Sequence, residues 1–392
     1  MKRQRKAMTR TGIKIEGERL LPLDALRGLI LVLMAVDHAN FFVARMHPTG
    51  EFWGIPLPHY ESVWAFLTRI ITHPCAPGFS FLMGIGMVLF AQSRSRLGWT
   101  RARITRFFLK RGILLILLQH IVENPCWLMG PAAGMEPPGS KDQVWIHFGV
   151  LSALGAAMIL GSLLLHLKSG IVLGLSAAAL ILTWIVTPDP SRAEYLFSPL
   201  ARIFMIPGRT GIVQVYYSVI PWAGIAGLGL AFGRKMSADA GRAFRSAGLI
   251  GLLSLLTFPI LRLTGGFGSI HPYEGGGPIA FFNVTKYPPS AVFLLLNLGI
   301  CLIALRVFSL IGKHLKRWGR PLLVYGRAPL LFYLAHLYLF ALVGLLTASR
   351  AEGSLPFMYL IWLAGLVILY PACLWYGRFK AGTRPESIWR LF

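Results

Sequence analysis

The chain has 392 residues, of which 55% are hydrophobic and 14% charged, with a mean hydropathy of +0.62 and a formal net charge of +24. That balance excludes a disordered chain and an ordinary soluble domain. The basic residues cluster in every second loop, which argues against nucleic acid as a partner and for a membrane topology signal.

Apolar runs near twenty residues recur along the chain, each long enough to cross a hydrocarbon core of roughly 30 Å. They are continuous rather than alternating, so helices are expected and a β-barrel is not. The opening MKRQRKAMTR resembles the start of a signal peptide. The apolar run behind it is too long and lacks a small-residue cleavage site, so it reads as an uncleaved first span. Ten spans are predicted: 22–43, 72–92, 112–130, 144–166, 170–187, 213–233, 246–264, 289–311, 328–348 and 356–377. Short amphipathic helices are expected over 61–71 and, at the interface, over 190–212. The expected fold class is thus all-α, a polytopic transmembrane helix bundle. A basic arm (1–20) precedes one membrane domain (21–378), and a short tail (379–392) follows.

Of the 39 Lys and Arg, 28 fall in the arm, the tail and the loops 93–111, 167–169, 234–245 and 312–327, against 9 in the opposite loops. Both termini are therefore expected to be cytoplasmic. The four cysteines form no CxxC and no ligand spacing, so no metal is expected.

The first span, LDALRGLILVLMAVDHANFF, carries Arg27, Asp37 and His38 inside an apolar run. Eleven helical steps bring Arg27 and His38 within roughly 20° of one face, about 16 Å apart. A cation thus lies towards the inner end and an imidazole further out. Asp37 is a candidate to orient His38, although neighbours on a helix do not face each other. A polar cluster that merely joins helices is the alternative, but ionisable groups inside spans are expensive and mark functional sites.

Next comes TRIITHPCAPGFSFLMG (68–84), where His73 stands before two prolines that open the helix ladder. An interfacial histidine beside helix-start prolines is the plainer reading. The stretch SRSRLGWTRARITRFFLKR (93–111) has seven Lys and Arg and no acid. It reads as an anionic-lipid contact, or as a seat for a phosphorylated cosubstrate with Arg94, Arg96, Arg103 and Arg106 as candidates. The Gly-rich stretch GGFGSIHPYEGGGPIAFFNVTKYPPS (265–290) carries Asn283 and Lys286 on the side of His38 and is expected to fold back over a pocket. In GRAPLLFYLAHLYLF, nine steps put Arg327 and His336 on opposite faces, which leaves His336 packed or pore-lining.

Together, RLLPLDALRGLILVLMAVDHANFF, TRIITHPCAPGFSFLMG, FFNVTKYPPS, GRAPLLFYLAHLYLF and YPACLWYGRFKA resemble a bacterial multispanning family. That family is similar to the catalytic domain of heparan-α-glucosaminide N-acetyltransferase, a lysosomal transmembrane enzyme. The resemblance runs from about Arg19 to the C-terminus. The spacing of Arg27 and His38 is also similar to the first-span motif of integral-membrane sugar O-acyltransferases.

The resemblance implies transfer of an acyl group from cytosolic acetyl-CoA or another acyl-CoA to a glycan or similar small acceptor beyond a bacterial inner membrane. Arg27 and the 93–111 arginines would meet the cosubstrate. Asn283, Lys286 and His336 would meet the acceptor or the oxyanion. The lysosomal enzyme has Asn where His38 stands and a catalytic His after the first span, for which His47 and His59 are the nearest candidates. The catalytic role therefore lies open among His38, His47 and His73, with Asp37 as helper and His38 in front because of its depth. A homodimer is left open. The rival expectation is a transporter or flippase for a glycan or lipid-linked intermediate, in which Asp37 and His38 would serve a proton relay.

Overall fold

The computed structural model describes residues 20–48, 50–132, 144–189, 197–347, 353–384, 387 and 389. The expected arm lies outside these residues except for Leu20, and the expected tail is described only in part.

Helix α1 (Leu21–Ala39) starts with Pro22 in its first turn, where a missing N–H costs nothing. It widens into a π-helical turn, Asn40–Ala44, and stops at Arg45 in a left-handed conformation. Helices α2 (Val63–Ile70) and α3 (Cys75–Ser95) follow; α2 is the expected short amphipathic helix. Helix α4 (Arg101–Leu118) passes through a second π-helical turn, Gln119–Glu123, into α5 (Asn124–Ala132). Strand β1 (Ile146–Phe148) leads into α6 (Val150–Leu164), then α7 (Ser169–Val186) and the short α8 (Pro199–Phe204). Strands β2 (Gly208–Thr210) and β3 (Val213–Val215) precede α9 (Val219–Ala238) and α10 (Ala240–Thr264). The chain closes with α11 (Gly277–Phe282), α12 (Ala291–Leu310), α13 (Gly312–Leu315), α14 (Arg320–Arg327), α15 (Pro329–Thr347) and α16 (Leu355–Gly382).

The protein is an all-α polytopic bundle. Among the described residues, eight helices are long and apolar enough to cross a membrane. The other two expected spans hold α6, which has only 15 residues, and α9, which carries Arg234 and Lys235. Both were expected to begin as helix, at 144 and 213. Instead β1 and β3 pair there in parallel, with β2 antiparallel on the other edge of β3. These stretches are rich in β-branched and aromatic residues, which suit a pleated ribbon, and the helices begin only after Gly149 and Ser218. Of the interfacial helix expected over 190–212, residues 190–196 lie outside the described residues. The remainder forms α8 and β2.

The first span is central. Its apolar window is 72% buried within the protein, against 22% for α7, α10 and α16, whose other faces suit lipid. At two seams glycines let the backbones meet directly. A Cβ on Gly28 would sit 1.9 Å from the Leu322 carbonyl oxygen, and one on Gly326 would sit 2.0 Å from that of Asp24. Between α3 and α9, Gly84 and Gly229 approach the carbonyls of Ala226 and Phe81 just as closely. In a bilayer, where burial of apolar surface gives helices little reason to associate, such backbone contact does much of the joining.

Candidate active site

Four of the expected site residues meet at the end of the bundle expected to face outward. Asp37, His38, His47 and Lys286 line one cavity, together with Glu51, Arg69, Glu123, Trp127, His147, Tyr217 and Tyr333. The π-helical turn after His38 lets α1 end close to α15, where Gly344 leaves room for the Phe42 carbonyl.

His38 is 9% exposed and His336 fully buried. The Nδ1 of His336 lies 2.8 Å from the Phe332 carbonyl oxygen, so that nitrogen carries the proton. Its Nε2 is then the acceptor, and His38 Nδ1–H donates to it across 2.7 Å. The lone pair of a neutral His38 is left on Nε2, the atom a general base needs. Trp127 and Tyr333 hold the His38 ring edge-on, with centroids at 5.4 and 6.2 Å.

Asp37 turns away from that imidazole. It binds Arg69 Nη1 in a short contact, has Thr72 Oγ1 at 3.1 Å and has His47 Nε2 at 3.4 Å. Arg69 also grips Glu51 with two nitrogens, Nε at 2.7 Å and Nη2 closer still. A planar guanidinium suits this two-carboxylate clamp, and a lysine does not. Burial alone would push the Glu51 carboxyl up, but Arg69 and His73 outweigh it and hold the group well below the usual carboxylate range.

His73 donates from Nε2 to Glu51 at 2.8 Å and stands behind it, not on the cavity wall. Asn283 bonds the Pro58 carbonyl at 2.9 Å and ties two loops together. The 265–290 stretch does fold inward: the amides of Lys286 and Tyr287 donate to the Glu51 carbonyl at 3.1 and 3.0 Å. Lys286 is 5% exposed, its ammonium is 5.0 Å from the Tyr287 ring centroid, and it lines the cavity. His59 is exposed.

A second chamber, of about 280 Å³, opens at the basic face. Arg27, Arg111, Arg327 and Lys380 stand in its wall, and Phe79, Met83, Met87 and Leu154 line the way in. Arg27 also bonds Asp24 and the Gly326 carbonyl, both at 3.1 Å. Arg111 has a buried Nε without an acceptor. A small hollow lies between this chamber and the outer cavity and shares lining residues with both. It shares Met34 and Phe79 with the chamber, Asp37, His38, Tyr217 and Lys286 with the cavity, and Val150 and Tyr333 with both. His38 thus lines both the outer cavity and the hollow, whereas His47 lines only the outer cavity.

The four arginines expected at a cosubstrate are not in that wall. Arg94 and Arg103 lie over the Trp99 ring, Arg106 is exposed, and Arg96 lines a separate crevice with Arg101 and Arg234. Among the described residues, no group of three or more His, Cys, Asp or Glu side chains could hold a metal ion.

The family model for heparan-alpha-glucosaminide N-acetyltransferase, catalytic, matches residues 19–263, well over half of the chain. The chain belongs to this family. It is a multi-pass membrane protein of an acetyltransferase-like kind. No curated protein matches the chain. The family match contains His38, Asp37, Glu51, Arg69, Glu123 and His147, and it ends before Lys286 and His336.

Sequence reasoning missed Glu123, His147 and Arg111. A signal for the first was present, because QHIVEN interrupts the apolar third span with a carboxylate, and such groups mark sites. His147 opens a stretch read as helix, and Arg111 is the last cation of a run in which only earlier members were singled out.

Proposed function

We propose that this member of the N-acetyltransferase family moves an acyl group, acetyl by the family's name, from a coenzyme A thioester to a hydroxyl or amine on the opposite side of the membrane. The observation that carries the reading is His38 on the wall of the outer cavity and of the small hollow that shares residues with a basic inner chamber. Phosphates of the donor meet Arg111 and its neighbours, and the pantetheine arm follows the apolar wall inward. The acceptor X–H enters from the outer cavity.

His38 Nε2 takes the proton as X attacks the thioester carbonyl. The Lys286 ammonium stabilises the oxyanion that forms. The C–S bond then breaks, and the imidazolium returns its proton to the thiolate, giving the acyl product and free CoA. Arg69 keeps Asp37 and Glu51 in place and so fixes the floor of the site.

A second assignment of the base rests on the Asp37–His47 contact, which resembles a carboxylate orienting its imidazole and leaves His47 Nδ1 without a partner. Thiol release from acetyl-CoA by the protein in nanodiscs, with glucosamine as acceptor, tests both. Loss in His38→Ala with retention in His47→Ala supports His38, and the reverse moves the role to His47. A protein that neither binds acetyl-CoA nor releases thiol, yet moves a glycan under a proton gradient, would be the transporter instead.

A further inference from the structure

A crevice of about 460 Å³ opens where the basic-face ends of α3, α4, α6 and α9 come together. Arg96, Arg101, Arg234 and His166 line it, over an apolar floor that includes Val88 and Ile104. It shares no lining residue with the chamber proposed for the donor. Among the described residues, no carboxylate lines it and none of its three arginines forms an ion pair. The positive-inside rule accounts for basic residues in such loops, but not for where their side chains go. Here arginines from stretches far apart in the chain converge on one hollow.

The fold holds that convergence in place. The amides of Leu97 and Trp99 donate to the Arg94 carbonyl at 2.9 and 3.0 Å, and that of Gly98 to Ser95 at 3.0 Å. Gly98 takes a φ of 79°, which this tight reversal between α3 and α4 needs. Arg96 and Arg101 thus flank one fixed turn. Gln92 Nε2 donates to Ser237 Oγ at 2.7 Å and pins α3 to α9. His166 Nε2 bonds Thr105 Oγ1 at 2.8 Å and ties the end of α6 to α4. Arg234 Nη2 donates to the Leu164 and Leu165 carbonyls at 3.0 and 3.3 Å, so neutral groups orient this guanidinium and leave its charge in force. Helix dipoles offset little of it. Helices α3 and α6 end here and α4 begins, which by the usual half-charge per terminus gives about −0.5 against three guanidinium charges.

We propose that this crevice binds a phosphate monoester, at a site separate from the reaction centre. A dianion with several acceptor oxygens takes charge-assisted bonds from guanidinium groups on different sides, and the apolar floor receives the carbon skeleton behind the phosphate. A soluble phosphorylated metabolite and the headgroup of phosphatidic acid in the adjacent leaflet both offer that chemistry. The proposal does not depend on the acyltransferase reading.

Both sources are tested on the full chain in nanodiscs, as wild type and as the double variant Arg96→Gln/Arg101→Gln. These two arginines are exposed, so their exchange keeps the fold, and Arg234, which caps α6, stays in place. In phosphatidylcholine discs, calorimetry follows glycerol phosphate, with glycerol as the control. In a second series, thermal midpoints are compared between discs containing phosphatidic acid and discs with twice the fraction of phosphatidylglycerol, whose phosphate is a diester. A ligand that binds the folded state raises the midpoint. The expected result is a response in at least one series: glycerol phosphate binding that the double variant weakens at least tenfold, or a midpoint raised by phosphatidic acid above phosphatidylglycerol that the double variant abolishes. A response to glycerol phosphate assigns the site to a soluble ligand, and a response to phosphatidic acid alone assigns it to a lipid. No glycerol phosphate binding together with no preference for phosphatidic acid overturns the proposal, as does a double variant that responds as wild type does. A matching loss of acetyl-CoA affinity in the double variant also overturns it, because the crevice would then be part of the donor seat.

Discussion

His38 and His336 lie 298 positions apart and share a hydrogen bond of 2.7 Å, which settles the tautomer of both rings. The acceptor at the far end is an imidazole, not a carboxylate, so the pair carries no buried counter-charge. In the proposed reaction His336 acts only through His38, as a positioning residue.

Replacing it tests that role. His336→Phe keeps the ring volume but removes the acceptor, so His38 Nδ1–H loses its partner and the tautomer is no longer fixed. Turnover should fall by about a hundredfold, the lower range for a mispositioned general base, with donor and acceptor affinities nearly unchanged. His336→Gln keeps an acceptor at that depth and should recover part of the rate. An equal loss in both variants would mean that His336 serves packing alone.

At the inner mouth, Arg111 is the cation whose Nε lacks an acceptor. Arg111→Ala should weaken acetyl-CoA binding roughly tenfold, the scale of one charge-assisted hydrogen bond, and should make the remaining affinity less sensitive to salt. Arg106→Ala, at an exposed position on the same helix, should leave donor affinity unchanged. Titration with acetyl-CoA at two salt concentrations distinguishes the two sites.

Gly84 and Gly86 make a contrasting pair on α3. A methyl at 84 meets the Ala226 carbonyl oxygen at 2.0 Å, whereas one at 86 meets nothing within 4 Å. Gly84→Ala should cost about 1–3 kcal/mol through overpacking, read as a lower thermal midpoint, and Gly86→Ala should cost nothing measurable. Because Gly86 lines the inner chamber, Gly86→Phe should preserve the fold and block the donor.

The acid side of the stability profile should carry the mark of His147. Burial without a partner pushes its imidazole down to about 4, from an ordinary value of about 6.5. The unfolded chain therefore binds the proton first as the pH falls. Stability is fully present above about 6.5 and drains away down to about pH 4, after which this group adds no further slope. Glu51 is opposite in timing: its depressed carboxyl keeps its contribution above about 4.3 and loses it only at lower pH. Thermal midpoints between pH 8 and pH 4 should show the His147 loss, and His147→Ala should flatten that stretch.

The spans were legible because each apolar run had to be about as long as the bilayer is thick. The first-span face was legible too, since helical pitch alone puts Arg27 and His38 on one side. What pitch cannot give is which helices touch. His336 was compared with Arg327 on its own helix, while its partner stands on α1. Asp37 was offered to His38, one residue away, but the helix turns it about 100° round, towards Arg69 on α2. Among the basic residues, density drew attention to Arg94, Arg96, Arg103 and Arg106. Charge density records topology and says little about which cation faces a chamber.

The family is recognised over residues 19–263, yet Lys286 and Tyr287 line the cavity around His38, and His336 bonds His38, from beyond that stretch. The recognisable stretch and the proposed reaction centre therefore have different boundaries in this chain. A fragment cut after residue 263 would still carry the family's signature while its His38 ring floated between tautomers. Supplying residues 264–392 as a separate polypeptide would be the natural attempt at complementation, and its success would depend on α15 finding its place against α1.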